Sequence, residues 1–422
     1  MDYLTLGFSW QFSTSNTDQH SPLNQLRQLP MQAFSDKNYQ GKYNCFDDKW
    51  LKLKNPLIEL EQGNEQYTSS SALFIEQELP DTLIELNVDQ LIAFYQHPAK
   101  MFAQQQLNLY LDQKIMTLDD AEPFAIDHLE SYLLRQALLK ECMTQYSSAE
   151  KTKQQLNNVL NCALRSGKFP HLPTTLKVFE NWQNDSIEFS QAIIEQNANN
   201  PALIDVQITI DITDLENKVN TIKLIAKLPI KAEQLIFYRS STAKAKDLFT
   251  LYIHQLIVQV YQDQYIAGMP DKLTEDSELI SQVNCTHGFY FDTKSQKTSE
   301  YIVSQVIDAK AQLTKLVASY FLGQQQALLL NGDIADKAFK ANIGAGSNKP
   351  VKIFEQNDFE KLWQDPNAMF SLGDDGYMHY FWPKCPIFSE YQQQLADIYL
   401  PMYLSLEKVK SKQPTKKIKA VR

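Results

Sequence analysis

The run LIDVQITIDI, residues 203–212, alternates apolar and polar side chains without a break from Ile204 onward. Ile204, Val206, Ile208 and Ile210 fall on one side of it, which marks a strand with one face buried and the other in water. After the turn-like ENKVN, TIKLIAKLP (221–229) and QLIFYR (234–239) read as two further strands, so residues 203–239 form an antiparallel meander. The meander feeds a helix, DLFTLYIHQLIVQVYQD, from Asp247. Upstream, residues 86–200 read as mainly helical. Strands flanked by helices on both sides place the chain in the α/β (α+β) class.

The helical block is best punctuated between Leu86 and Leu139. Val88, Leu91, Ile92 and Tyr95 share one helical face, and Asn87 with Gln90 forms a capping box in front of them. Pro98 ends that helix and pushes His97 out of the α region. A second short helix then carries Met101, Phe102 and Leu107. Asp127 and Glu130 cap a third, apolar at Leu129, Tyr132, Leu133, Leu134, Ala137 and Leu138. That face is wide enough to predict a buried helix. The next helix stops at Gly167, with Pro170 and Pro173 beyond it, and periodicity resumes over 174–196. Residues 299–330 read as one long helix broken at Gly323. Residues 391–409 read as a closing helix interrupted at Pro401. The G-x-G in KANIGAGSNKP (340–350) lacks G-K-(S/T) and reads as a plain loop.

Composition narrows the class. The chain has 422 residues with 43% hydrophobic content, enough for a core and two or three sub-domains. No apolar run reaches the roughly 18 residues that span a bilayer, and Met1-Asp2-Tyr3 does not start a signal peptide, so a cytoplasmic soluble protein is expected. Cys45, Cys142, Cys162, Cys285 and Cys385 have no C-x-x-C spacing and are odd in number, which argues against zinc ribbon and disulfide framework alike. The net charge of −10 is not that of a general nucleic-acid binder, yet residues 408–422 hold seven Lys/Arg and no acid. The expected organisation is an irregular segment 1–28, a connector 29–85, a main domain 86–407 and a basic tail 408–422. Phe34, Tyr39, Tyr43, Phe46 and Trp50 in the connector suit either packing against the next domain or stacking on single-stranded bases.

LIAFYQHPAKMFAQQQLNL, EPFAIDHLESYLLRQALL, the LRSGKFP passage and residues 224–256 resemble the C-terminal region of the RecC family, the gamma subunits of exodeoxyribonuclease V. That region is a degenerate copy of a PD-(D/E)xK nuclease domain. The resemblance implies a small mixed sheet flanked by helices, with helical insertions. It further implies a non-catalytic part of the RecBCD helicase–nuclease in double-strand-break repair and recombination, which guides a separated DNA strand and contacts RecB-like and RecD-like subunits. ATP and Mg²⁺ would then belong to those partner subunits, with no cofactor in this chain. The family's two helicase-like domains have no counterpart here, so the chain is expected to be a truncated or split form, and recognition of the Chi sequence is not carried over.

Laid on the pattern of the active nucleases, the helical histidine falls at Tyr132 and the first-strand aspartate at Pro229. The D-Y-K triplet falls on Phe237-Tyr238-Arg239, and the glutamine opening the next helix falls on Asp247. Proline and phenylalanine cannot ligate Mg²⁺, and arginine cannot serve as a base near neutral pH, so neither catalysis nor metal binding is expected. Asp211, Asp214 and Glu216 are the nearest replacement acids, in or beside a turn. What surrounds the lost site is cationic: Lys227, Lys231, Arg239, Lys244 and Lys246. Such a cluster is either a non-cutting phosphate track or an ordinary solvated face. The competing functional readings are a nuclease with a relocated metal site and a decayed or purely structural interaction fragment.

Overall fold

The computed structural model describes residues 84–111, 124–144, 149–213, 219–266, 274–293, 295–344, 354–364 and 371–409, all within one compact unit, Ile75–Arg422. The segment 1–28, nearly all of the connector 29–85, the acidic loop before Phe124, Asp214, Glu216, Cys45 and the tail after Val409 lie outside the described residues.

A short strand β1 (Ile84–Asn87) leads into helices α1 (Val88–Gln96) and α2 (Pro98–Gln106). Asn87 accepts the Asp89 N–H, and Gln90 Oε1 accepts the Asn87 N–H, so the capping box is formed. His97 is extended at φ −160° between the two helices, and Pro98 takes the first position of α2, where its missing N–H costs nothing. His97 fixes this corner: Nδ1 accepts the Lys100 N–H, and Nε2 lies 3.1 Å from Asp375.

Three helices follow, α3 (His128–Thr144), α4 (Ala149–Arg165) and α5 (Pro173–Glu195). Asp127 caps α3 through the N–H groups of Leu129 and Glu130. Gly167 adopts φ +74° after α4, and Pro173, read from sequence as part of a stop, in fact opens α5. Leu134, Leu138, Cys142, Leu156, Leu160, Phe169 and Phe179 make one core among these helices. The expectation that α3 is a buried helix is corrected: Leu129, Leu133 and Ala137 line an exposed side.

The sheet is mixed and seven-stranded. Strands β2 (Ala202–Thr213) and β3 (Val219–Lys231) pair antiparallel along their whole length, with Ile204, Val206, Ile208, Ile210 and Ile212 buried. On its other side β3 carries β1, parallel at Ile222–Ile225, and the start of β4 (Gln234–Arg239). The β3–β4 turn has Ala232 and Glu233 both at positive φ, the primed geometry that suits a two-residue hairpin. Strands β5 (Cys285–Asp292), β6 (Lys297–Val303) and β7 (Leu406–Val409) complete the order, with β5 parallel to β4.

Helix α6 (Ala245–Tyr261) lies at the centre and is buried at almost every position. A helix apolar on all sides belongs inside a protein. Its Leu251 reaches Gly288 of β5, and Gln255 accepts a hydrogen bond from Thr286 of the same strand. The opposite face of β4 and β5 packs Ile236, Phe289 and Phe291 against Leu139 and Met143 of α3 and Phe189 and Ile193 of α5. After a short helix α7 (Glu275–Ser281), α8 (Ala309–Gln325), α9 (Gly332–Phe339) and α12 (Phe388–Ser405) pack on α6, while α10 (Gln356–Trp363) lies against α12 and α11 (Gly376–Phe381) against α2.

Three sequence expectations are corrected here. Residues 299–303 belong to β6 rather than a helix, because Tyr301 and Val303 bury on alternate positions against β5. Helix α12 runs through Pro401 to Ser405, and its expected end, Leu406–Val409, is β7. Gly323 does not break α8: the ring of Phe94 occupies the place where its Cβ would be. Phe94 is fully buried and packed edge-on against Tyr95 and Tyr320, so it has nowhere to go. Gly323→Ala gains about 1 kcal/mol of helix propensity, but overpacking of about 1–3 kcal/mol should outweigh it. A lower urea midpoint checks this, and a raised midpoint would refute it.

Candidate functional site

Arg239 is the last residue of β4, where the strand leaves the sheet between α3 and the amino end of α6. Its Nη1 donates to Asp247 Oδ1 at 2.6 Å and its Nε to the Tyr132 hydroxyl at 3.1 Å. The guanidinium also lies 4.9 Å from the centre of the Tyr132 ring. The other Asp247 oxygen accepts the Lys244 N–H at 2.9 Å, so one carboxylate both holds Arg239 and caps α6. Gln136, one turn along α3 from Tyr132, accepts from the N–H and hydroxyl of Ser240. Burial alone would lower the Arg239 pKa, but the Asp247 carboxylate and then Tyr132 hold it above its ordinary value. Burial, and then repulsion from Arg239, hold the Lys246 ammonium below its own.

The structure therefore brings Tyr132, Arg239 and Asp247 into direct contact, with the Lys244 backbone and Lys246 beside them, and leaves Pro229, Phe237, Lys227 and Lys231 apart. Phe237 packs edge-to-face on His254 with ring centres 4.7 Å apart. His254 is buried, which lowers its pKa, and its Nδ1 lies 2.8 Å from the Thr250 carbonyl. Pro229 sits opposite Leu203 in the β2–β3 ladder. The register pairs Ile230 with Leu235, so the pleat puts Phe237 and Arg239 on one face of the sheet and Pro229 on the other. Asp211 accepts a hydrogen bond from Thr221 at 2.7 Å. Among the described residues no three His, Cys, Asp or Glu side chains are grouped as metal ligands.

The five cations also divide. Lys227 and Lys231 share the Pro229 face of β3, where Lys227 lies 3.9 Å from Asp205. Lys244 and Lys246 flank the start of α6 with exposed side chains. Arg239 is committed to Asp247 and Tyr132. Sequence reading missed Gln136, Ser240 and Tyr290, whose hydroxyl reaches the Asp247 carbonyl at 3.4 Å. Gln136 had one available signal, its i+4 spacing from Tyr132 on the same helix face.

Residues 84–342, more than half of the chain, match the RecC C-terminal domain family. The chain belongs to that family. It is also 24% identical over 254 residues to the RecBCD enzyme subunit RecC of Haemophilus influenzae. That alignment covers 60% of this chain and 21% of the relative, so the chain spans about a fifth of the RecC subunit it matches. The RecC C-terminal domain match includes β1 to β6, α6, and the whole Tyr132–Arg239–Asp247 network. No helix among the described residues is long and apolar enough to cross a membrane.

Proposed function

We propose that this chain is a non-catalytic, strand-guiding and scaffolding module of a RecBCD-type helicase–nuclease, built on a degenerate PD-(D/E)xK frame and working in the cytoplasm. Membership of the RecC C-terminal domain family makes the complex its natural setting. The observation that carries the non-catalytic reading is the Arg239–Asp247–Tyr132 network. Pro229 and Phe237 stand where a nuclease of this type needs carboxylates to hold Mg²⁺, and Asp247, the one acid among Tyr132, Pro229, Phe237, Arg239 and Asp247, is bound by a guanidinium and by the Lys244 N–H. An arginine placed there supplies a fixed positive charge without a metal and has no proton to yield at neutral pH. In this reading ATP and Mg²⁺ serve RecB-like and RecD-like subunits, and this chain contributes surface for those subunits and for DNA.

Two measurements test it together. The purified chain, incubated with linear duplex and single-stranded DNA in Mg²⁺ or Mn²⁺, should leave both intact. The tagged chain should retain RecB-like and RecD-like subunits when co-expressed with them. Metal-dependent cleavage would instead establish a nuclease with a relocated site. Failure to retain either subunit would leave an isolated structural fragment and end the proposal.

A further inference from the structure

The two lysine groups differ in their surroundings. On the sheet face Lys227 faces Asp205, and the adjacent Lys223 is paired with Glu85 at 2.8 Å, so opposite charges already meet there. Lys244 and Lys246 make no ion pair among the described residues, and the acid nearest to them in sequence, Asp247, is taken up by Arg239. Both lysines line a cleft of about 220 Å³ between α6 and α9. Its floor is aromatic, formed by Tyr95, Phe249 and Tyr399, which pack on one another and are buried. Its far wall is Asn331, Gly332 and Asp333 at the start of α9. Asp333 is the one carboxylate of the lining, and it lies in the first turn of α9, where the amino end of the helix offsets its charge. Two ammonium groups against one offset carboxylate leave the cleft electropositive in a chain whose net charge is −10.

We propose that this cleft binds a backbone phosphate of a single DNA strand through Lys244 and Lys246, and that Lys227 and Lys231 take no part. The inference rests on the strand-guiding reading and gives it a location. A cleft of about 220 Å³ has room for one phosphate, and its two lysines supply the charge that a phosphate needs. The buried aromatic floor offers no free ring face for stacking, so the contact carries charge and no base preference.

The test uses the full 422-residue chain and a labelled oligothymidylate of about 12 nucleotides, read by fluorescence anisotropy at rising salt. Lys244→Glu with Lys246→Glu should weaken binding at least about tenfold and lower the slope of log affinity against log salt by about 0.7, the value for one lost phosphate contact. Lys227→Glu with Lys231→Glu should change affinity less than about twofold. Loss in the sheet-face variant alone, or equal loss in both, overturns the cleft while strand binding stands. No binding by the unaltered chain overturns both. Binding of free ATP without binding of the oligonucleotide overturns the strand as ligand.

Discussion

Asp247→Ala should be among the most destabilising single changes available at the candidate site, at about 3 kcal/mol, the lower end of the range for removing one partner of a buried pair. The side chains of Arg239 and Asp247 are 20% and 12% exposed, so a guanidinium left alone there regains little hydration. Its remaining partner is Tyr132, by one hydrogen bond and the ring face. The same change strips the start of α6 of the acceptor for the Lys244 N–H, a cap worth about 1 kcal/mol. Asp247→Asn separates the two effects, since it keeps the acceptor and loses the charge. Arg239→Met in the Asp247→Ala background should recover most of the loss, because no uncompensated charge then remains. Urea unfolding of the unaltered protein, Asp247→Ala, Arg239→Met and the double variant closes the cycle and gives the coupling. A loss below about 1 kcal/mol for Asp247→Ala, the value typical of exposed pairs, or strict additivity in the cycle, would show that the network is only a surface contact.

The same network shows where sequence reading succeeds and where it stops. Arg239 and Asp247 are both visible as departures from a nuclease pattern, but their mutual contact is not. They are eight residues apart across a strand-to-helix corner, and no periodicity reports which charges meet over such a corner. Strand β2 was legible because only one of its faces is covered, which writes the alternation into the sequence. Strand β5 was not: it is covered by α6 on one face and by α3 and α5 on the other, so CTHGFYFD buries six consecutive residues and shows no period of two. Strand β6 merged with α8 in the sequence reading because the break between them is Asp308, which turns through φ +54° without a glycine or proline to announce it. The punctuation around His97-Pro98 was legible for the opposite reason, as local steric rules alone determine it. Helix α3 misled through its apolar count. Leu129 and Leu133 are 62% and 48% exposed, and neither composition nor spacing distinguishes an exposed leucine from a core one.

Glu300→Gln should flatten the acid limb of the stability curve. Glu300 of β6 lies 3.6 Å from His287 Nε2 and accepts a hydrogen bond from Gln196 at the end of α5 at 2.9 Å. The His287 and Glu300 side chains are 5% and 15% exposed. The contact with His287 holds the carboxyl below its ordinary range, aided by Gln196 and opposed by burial. At 3.6 Å this contact is longer than a good hydrogen bond, and among the described residues His287 Nε2 has no hydrogen-bond partner, so the Glu300 carboxylate is the polar group facing it. A group whose pKa is lower in the folded state than in the unfolded one stabilises fully above the unfolded value, near 4.3 for glutamate. That stabilisation disappears as pH falls through the lower folded value, because the unfolded chain takes up the proton first. The unaltered protein should therefore exceed Glu300→Gln by about 1.5–3 kcal/mol at pH 7, the range for contacts to a charged group, and the two should converge as pH falls below about 4. Other carboxylates with lowered pKa, Asp375 among them, contribute equally to both proteins and cancel in the difference. Urea unfolding at stepped pH measures that difference. A gap that stays constant down to acid pH would assign the effect to packing and remove the Glu300 carboxylate's contacts from the forces that hold the sheet.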